Sequence, residues 1–204
     1  MKNLLQGVHH FQTQVFPAHR ERFSELAQGQ APSTLFITCS DSRIDPSLLT
    51  QTAPGELFVL RNAGNLVPAP GWSEGGEAAA IEYAVEALGV RNVVVCGHLG
   101  CGALGGLLEP SSVAELPAVR RWLQQHGEET RYRIAQSRVA DELPRFAVEE
   151  NVRVQLERLA RYPAVRRRLR SRKHPIELHG WVYDIGAGAV SLLGESGEFE
   201  RLAA

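Results

Sequence analysis

The stretch T-L-F-I-T-C-S-D-S-R, at residues 34–43, joins an apolar run to a group of chemically reactive side chains. A second stretch, V-V-V-C-G-H-L-G-C-G at residues 93–102, repeats that arrangement. Short apolar runs of this kind, bounded by glycine or polar residues, are typical of buried parallel strands. Ligand sites in open α/β sheets gather beyond the carboxyl ends of such strands. We therefore expect two neighbouring strands that carry their polar residues to one place.

Three residues at the ends of these runs are of the types that bind zinc: Cys39, His98 and Cys101. Zinc takes cysteine sulfur, histidine nitrogen and carboxylate oxygen in a tetrahedral arrangement. Asp41 can fill or guard the fourth position. Three firm ligands with one changeable position are the layout of a catalytic zinc ion, and one zinc ion per chain is the predicted cofactor. A purely structural zinc ion, or a core cysteine beside a capping histidine, is the alternative.

Together these motifs resemble the β-class carbonic anhydrases. The resemblance covers roughly residues 2–195, and within the family the sequence is most similar to the plant and cyanobacterial members. Besides C-S-D-S-R at 39–43 and G-H-L-G-C-G at 97–102, it rests on P-G-E-L-F-V-L-R-N at 54–62, A-G-N at 63–65, A-A-I-E-Y-A-V at 79–85 and H-G-W-V-Y-D at 179–184.

The resemblance implies reversible hydration of carbon dioxide to bicarbonate by attack of a zinc-bound hydroxide. Cys39, His98 and Cys101 would bind the zinc ion, and Asp41 and Arg43 would form a catalytic dyad. A zinc-holding relative without activity, which serves as a scaffold or sensor, is the alternative function.

The dyad has a physical rationale. A guanidinium can hold a carboxylate through two parallel hydrogen bonds, so Arg43 would keep Asp41 ionised and turned away from the metal. The carboxylate could then accept the hydrogen of the hydroxide and aim its lone pair at the substrate carbon. A turn cap for Asp41, and a salt bridge across a dimer for Arg43, are the alternatives.

The resemblance also implies a substrate pocket. Gln30, nine residues before the first cysteine ligand, would donate a hydrogen bond to substrate or bicarbonate, and Gly102 would offer its backbone N–H to bicarbonate. Phe58, Ala63 and Tyr83 would line a narrow apolar pocket, partly from the neighbouring protomer, which suits a small apolar substrate. Core packing is the alternative for Phe58 and Ala63.

One departure from the family bears on regulation. Some bacterial members hold an inhibitory bicarbonate with a Trp three residues before the first cysteine, together with an Arg and a Tyr. This chain has Arg61 and Tyr183 at the latter positions but Phe36 at the first, and phenylalanine has no indole N–H. We therefore expect an open, water-bound resting state without that inhibitory site.

Composition narrows the class of protein. The chain has 204 residues and a formal net charge of −1. With a net charge so close to zero, the protein has no overall positive potential that would attract nucleic acid or anionic lipid. No apolar run approaches the ~20 residues of a membrane helix, and the N-terminus lacks the features of a signal or transit peptide. Three cysteines favour a reducing compartment over a disulfide framework, and Cys96 is expected to be a buried thiol.

The expected partners are carbon dioxide and bicarbonate as small-molecule substrates and a second copy of the chain, with no nucleic acid and no membrane. The expected location is the cytoplasm. A location within carboxysomes is the alternative, although docking through a long C-terminal extension is not expected, since little follows residue 195. The basic run at 161–173 is expected to be a solvated helix face or an oligomer contact, rather than a nucleic-acid site.

The predicted fold is α/β, with a mostly parallel central sheet flanked by helices. We expect one domain over 1–204, divided into a helical arm at 1–30 that breaks near Pro17, a zinc-site core at 31–110, and a helical region with terminal strands at 111–204. The last strands, at 176–183 and 190–193, are expected to form an antiparallel edge hairpin. The family resemblance implies that the arm packs across a homodimer or a larger even oligomer. Ser73 is predicted to cap the helix that ends at Gly89.

Overall fold

The computed structural model describes residues 1–71, 75–137 and 143–203. Two compact units make up this part of the chain, Met1–Ala31 and Pro32–Ala204. Ser73, the predicted helix cap, lies outside the described residues.

The first unit is helical, as expected for the arm. Its helices are α1 (Lys2–His10), which continues into a π-helical turn (Phe11–Val15), α2 (Phe16–Ala18) and α3 (Arg20–Leu26). The helical path breaks at His19, two residues after Pro17. The rings of Phe11, Phe16 and Phe23 pack together with centroids 5.5–6.3 Å apart.

The second unit is built on a six-stranded sheet with the strand order β2-β1-β3-β4-β5-β6. The first four strands in that order are parallel, and the last two join antiparallel. The strands are β1 (Thr34–Cys39), β2 (Leu57–Asn62), β3 (Asn92–His98), β4 (Glu177–Asp184), β5 (Ala189–Leu193) and β6 (Phe199–Arg201). The predicted parallel sheet and edge hairpin are confirmed, while the sequence does not predict the short strand β6.

Helices of the second unit begin where the sequence favours it. Prolines open α4, α7 and α10, because the first turn of a helix does not need the missing N–H. The helices are α4 (Pro46–Thr50), α5 (Gly76–Glu82) with a π-helical turn (Tyr83–Ala87), α6 (Gly102–Leu108), α7 (Pro117–His126), α8 (Glu128–Gln136), α9 (Leu143–Arg161) and α10 (Pro163–Leu169). A 3-10 turn (Pro110–Val113) joins α6 to α7.

Helix α9 lies directly on strands β3 and β4. A methyl group added at Gly97 would meet Val148 at 2.8 Å, and one added at Gly180 would meet Val152 at 2.9 Å. Glycine at these strand positions therefore allows the long helix to approach the sheet closely.

A smaller apolar cluster lies apart from the main core and includes Phe36, Val94 and Cys96, with Trp181 packed edge-on against Phe36 at 5.7 Å. Cys96 is fully buried, which confirms the predicted buried thiol, and burial raises its pKa to about 12.

One arginine of the basic run at 161–173 is structural rather than solvated. Arg168 donates to the carbonyl oxygens of Val85 at 2.9 Å, Val90 at 3.2 Å and His174 at 2.7 Å. This side chain therefore ties α10 to the π-helical turn that follows α5 and to the loop that leads into β3. No helix among the described residues is both long and apolar enough to cross a bilayer.

Candidate active site

Three side chains of metal-ligating type converge at the carboxyl edge of the parallel strands. Cys39 ends β1, His98 ends β3, and Cys101 directly precedes α6. Their ligand atoms all lie within 4.8 Å of one another, and all three residues are buried. The two sulfur atoms are 3.9 Å apart. Sulfurs bound tetrahedrally to one zinc ion at about 2.3 Å would be about 3.8 Å apart, so the spacing fits a shared ion.

The ring of His98 presents one nitrogen to this cluster. Its Nδ1 lies 3.1 Å from the carbonyl oxygen of Leu99, and its Nε2 is buried without a hydrogen-bond partner in the described part of the chain. A backbone acceptor at one nitrogen fixes the tautomer and leaves the lone pair of the other free to bind a metal. The donor set thus fits a metal ion.

The two cysteine thiols ionise unequally. The thiol of Cys101, then His98 and the backbone N–H of Gly64, lower the pKa of Cys39 to about 4 despite its burial. The pKa of Cys101 is raised, because its thiol donates to Cys39 and because burial penalises a second negative charge there. A cation between the sulfurs would offset this repulsion, which is why such a pair suits a metal.

Arg43 holds both carboxylate oxygens of Asp41. Its Nε donates to Oδ1 at 2.9 Å and its Nη2 to Oδ2 at 2.7 Å. These bonds keep the pKa of Asp41 far below its usual range. Oδ2 is also 3.8 Å from Nε2 of His98, so the carboxylate borders the place where the ligand atoms meet. Nη2 of Arg43 further donates to the carbonyl of Gly100 at 3.2 Å and links the two halves of the site. The catalytic role of this pair stays a prediction.

Arg61 has a structural role that its position in the sequence does not indicate. Its Nε donates to the carbonyl of Cys39 at 3.1 Å, and its Nη2 donates to the carbonyl of Asp41 at 2.7 Å. This side chain therefore clamps the loop that carries both residues. Arg61 lies in β2 and pairs with Thr38 of β1. Its proximity to Cys39 can therefore be inferred only when the register of the two strands is known.

Four of the five predicted pocket residues belong to the second unit, Pro32–Ala204. Phe58 packs partly buried against the core, with its ring 6.2 Å from that of Tyr83, which is 49 % exposed. Ala63 follows β2, and Gly102 is the first residue of α6. Gln30 belongs to the first unit. The structure thus brings Phe58 and Tyr83 together, and contact of any of the five with substrate remains a prediction.

Of the three regulatory positions, Arg61 and Tyr183 adjoin residues of the Cys-His-Cys cluster, whereas Phe36 lies in the smaller apolar cluster. Tyr183 of β4 pairs with His98 of β3, and its carbonyl accepts from the N–H of Leu99 at 3.0 Å. Phe36 is 1 % exposed and packs on Trp181. The expectation that this chain lacks the inhibitory bicarbonate site stays a prediction.

A buried Cys-His-Cys cluster at the strand ends of a parallel sheet defines a class of α/β proteins able to hold a metal ion. The family model for carbonic anhydrase matches residues 34–190. A carbonic anhydrase of Synechococcus elongatus is 48 % identical over 194 residues, which covers 93 % of this chain and 70 % of that protein.

Solved structures agree. The β-carbonic anhydrase CcaA has a TM-score of 0.93 at 42 % identity, covering 100 % of this chain and 92 % of that one. One of two tetrameric β-carbonic anhydrases from Sordaria macrospora has a TM-score of 0.74 at 30 % identity, covering 99 % and 95 %. The chain belongs to the β-class carbonic anhydrase family, which confirms the predicted family, fold class and enzyme class. That family is zinc-dependent in general.

Proposed function

We propose that this protein catalyses the reversible hydration of carbon dioxide to bicarbonate with one zinc ion per chain. The observation that carries the proposal is the convergence of two buried sulfurs and the free Nε2 of His98 within 4.8 Å. Membership of the carbonic anhydrase family supports it. Cys39, His98 and Cys101 would hold the ion.

Zinc at this centre would lower the pKa of a bound water molecule toward ~7 and so supply an activated water near neutral pH. Two thiolates cancel the formal charge of the ion, so a helper for the activated water is expected. Asp41 is suited to this part because its carboxylate is ionised and borders the ligand atoms. It would accept a hydrogen bond from the reacting water and orient that water towards carbon dioxide.

Arg43 would keep Asp41 available for this work. A carboxylate beside a metal site can bind the ion directly and exclude water. With both oxygens engaged by the guanidinium, the carboxylate is held in its accepting position instead. Arg61 would support the pair by fixing the backbone of Cys39 and Asp41.

Substrate would bind beside this centre. We assign Phe58, Ala63 and Tyr83 to an apolar pocket for carbon dioxide, and Gln30 and Gly102 to hydrogen bonds with substrate or bicarbonate. Their match to family positions supports this assignment, and an apolar pocket suits an apolar molecule of this size.

A homodimer or a larger even oligomer is the proposed assembly. Leu4, Leu5 and Val8 of α1 are 69 %, 61 % and 52 % exposed, and a contact with another chain would bury them. The tetrameric relative supports the proposal. The cytoplasm is the proposed location, with carboxysomes as the alternative suggested by similarity to cyanobacterial proteins.

The direct test combines zinc content with stopped-flow hydration of carbon dioxide. The zinc-loaded protein should turn over rapidly, and Cys101→Ala should lose both zinc and activity. Cys96→Ala is the matched control, because it removes a buried cysteine outside the cluster, and it should keep both. A parent protein that binds zinc but does not hydrate carbon dioxide would instead favour the alternative function, a scaffold or sensor without catalytic activity.

A further inference from the structure

The peptide unit between Ala63 and Gly64 is hydrogen-bonded at both ends. Its carbonyl oxygen accepts from the indole Nε1–H of Trp122 at 2.8 Å. Its N–H donates to the sulfur of Cys39 at 3.5 Å. The carbonyl and N–H of a trans peptide point in opposite directions within one plane. Indole, peptide and sulfur therefore form one continuous chain of hydrogen bonds.

The conformation of Gly64 is fixed on its other side as well. Its own carbonyl accepts from Nδ2 of Asn151 at 3.0 Å, and Asn151 is buried on α9. The φ of Gly64 is +83°, and a Cβ there would lie 3.1 Å from the Cβ of Ala103. Only glycine meets both conditions without strain, so this backbone is held where it can reach the sulfur.

We propose that Trp122 is a positioning residue for the metal centre, which acts on the Cys39 ligand through the 63–64 peptide. The indole N–H fixes the plane of the peptide and polarises it, which makes the N–H of Gly64 a stronger donor. A hydrogen bond to a ligating thiolate withdraws electron density from the sulfur and fixes its orientation. Trp122 thereby tunes how the sulfur binds a metal ion, although its own side chain is not a ligand.

Packing alone would not require this donor. Trp122 is partly buried against the core and stacks edge-on against His126 with centroids 4.3 Å apart. A phenylalanine could keep most of those contacts, but it could not donate to Ala63. The proposed role depends on the N–H and not on the ring.

Two variants separate the donor from the ring. Trp122→Phe removes the N–H and part of the ring, while 3-benzothienylalanine at position 122 replaces the N–H by sulfur and keeps the shape. Trp181→Phe is the matched control, because it shortens a half-buried tryptophan that packs on Phe36 in the other apolar cluster.

The readouts are the thiolate-to-cobalt absorption band of the cobalt(II)-substituted protein and zinc affinity measured by chelator competition. Both changes at position 122 should shift the band to longer wavelength, since the sulfur loses a hydrogen bond. Both should also weaken zinc binding about tenfold or more. Trp181→Phe should leave both readouts as in the parent.

A benzothienylalanine protein with the parent's band and zinc affinity would overturn the proposal, because Trp122 would then act by shape alone. An equal shift in Trp181→Phe would overturn it too, since general loosening would explain the effect. The inference rests on the proposed metal centre, and different results would refute the metal centre and the role of Trp122. A parent protein that binds neither cobalt nor zinc would refute both. A parent protein that binds metal, with a benzothienylalanine variant that has the same band and zinc affinity, would refute only the role of Trp122.

Discussion

At the level of single residues, the proposed mechanism depends on an ionised carboxylate that a neighbouring guanidinium holds beside the metal-binding atoms. In the proposed mechanism, Asp41 must stay ionised beside the metal-binding atoms without becoming a ligand. Arg43 engages both of its oxygens. Arg61 holds the backbone on which this geometry depends.

Replacing Arg43 with alanine should remove most hydration activity while zinc is retained. Without the guanidinium, the Asp41 carboxylate is free to bind the metal and displace water. Loss of the positioned acceptor is expected to lower kcat by about 10²-fold or more. Stopped-flow assays with metal analysis measure both quantities.

Arg131→Ala provides the control for that experiment. Arg131 is an exposed arginine paired with Glu128 at 2.8 Å on α8, so its loss should leave the rate unchanged. Normal turnover of Arg43→Ala with zinc bound would refute the role of the dyad.

The cysteines should differ in reactivity once zinc has been chelated. A pH of about 7 is above the pKa of the Cys39 thiol, which is about 4, so Cys39 is a thiolate. The same pH is below the pKa of the Cys96 thiol, which is about 12, so Cys96 stays protonated. Iodoacetamide should therefore label Cys39 well before Cys96. Mass spectrometry of the labelled peptides gives the order, and equal or earlier labelling of Cys96 would be inconsistent with these environments.

The sequence predicts the ligands better than their supports. Cys39, His98 and Cys101 can be found because each follows an apolar run, and strand ends meet at one edge of a parallel sheet. Arg61 and Trp122 act through contacts with backbone carbonyls of other segments. No local spacing reports such contacts, so only the folded chain reveals them.

At the scale of elements, helix α9 supports the loop at 62–68 with a buried polar face. Its residues Asn151, Gln155 and Arg158, and Tyr162 just beyond its end, bond to backbone groups of Gly64, Val67 and Pro68. A buried loop needs such partners for its peptide groups. The sequence indicates the helix, but polar residues at helical spacing ordinarily indicate a solvent-facing side. The buried face was therefore not predictable from the pattern.

Replacing Tyr162 with phenylalanine tests this support. The hydroxyl donates to the carbonyl of Pro68 at 2.9 Å, so its loss should lower the free energy of unfolding by about 1 kcal/mol near neutral pH. Burial raises the pKa of Tyr162 to about 12, above its usual value of about 10.

The raised pKa gives that test a direction with pH. The unfolded tyrosine loses its proton first, so the stability linked to Tyr162 is present below about pH 10 and is lost as pH rises towards about 12. Urea unfolding at several pH values should show the advantage of the parent over Tyr162→Phe shrinking across that range. A constant or growing advantage would be inconsistent with a raised pKa of Tyr162 in the folded protein.

At the scale of the whole molecule, the parallel sheet and its antiparallel edge follow from the sequence, since apolar runs and glycine turns mark most of its strands. Strand β6 is only three residues long and carries no alternating pattern, so the sequence does not predict it. The proposed assembly would depend on surfaces that fit another copy of the chain, and the exposed apolar residues of α1 indicate where to test it.

Charged residues on α1 should disrupt association. Leu5→Glu combined with Val8→Glu places two carboxylates in the exposed apolar stripe, where a partner chain would have to desolvate them. Sedimentation should show a smaller mass. Gln6→Glu with His10→Glu adds the same number of carboxylates on the opposite face of α1 and should leave the mass unchanged. An unaltered mass in the first variant would place the contact elsewhere.

The pH dependence of carbon dioxide hydration by the zinc-loaded protein tests the proposed mechanism. We expect turnover from about pH 6.5 to about pH 9 that rises smoothly as the bound water ionises, because Arg43 would hold Asp41 off the metal. Turnover that begins only above about pH 8 would show that Asp41 closes on the metal at lower pH, despite Phe36 in place of tryptophan. The absence of turnover at any pH, with zinc bound, would contradict the proposed enzymatic activity.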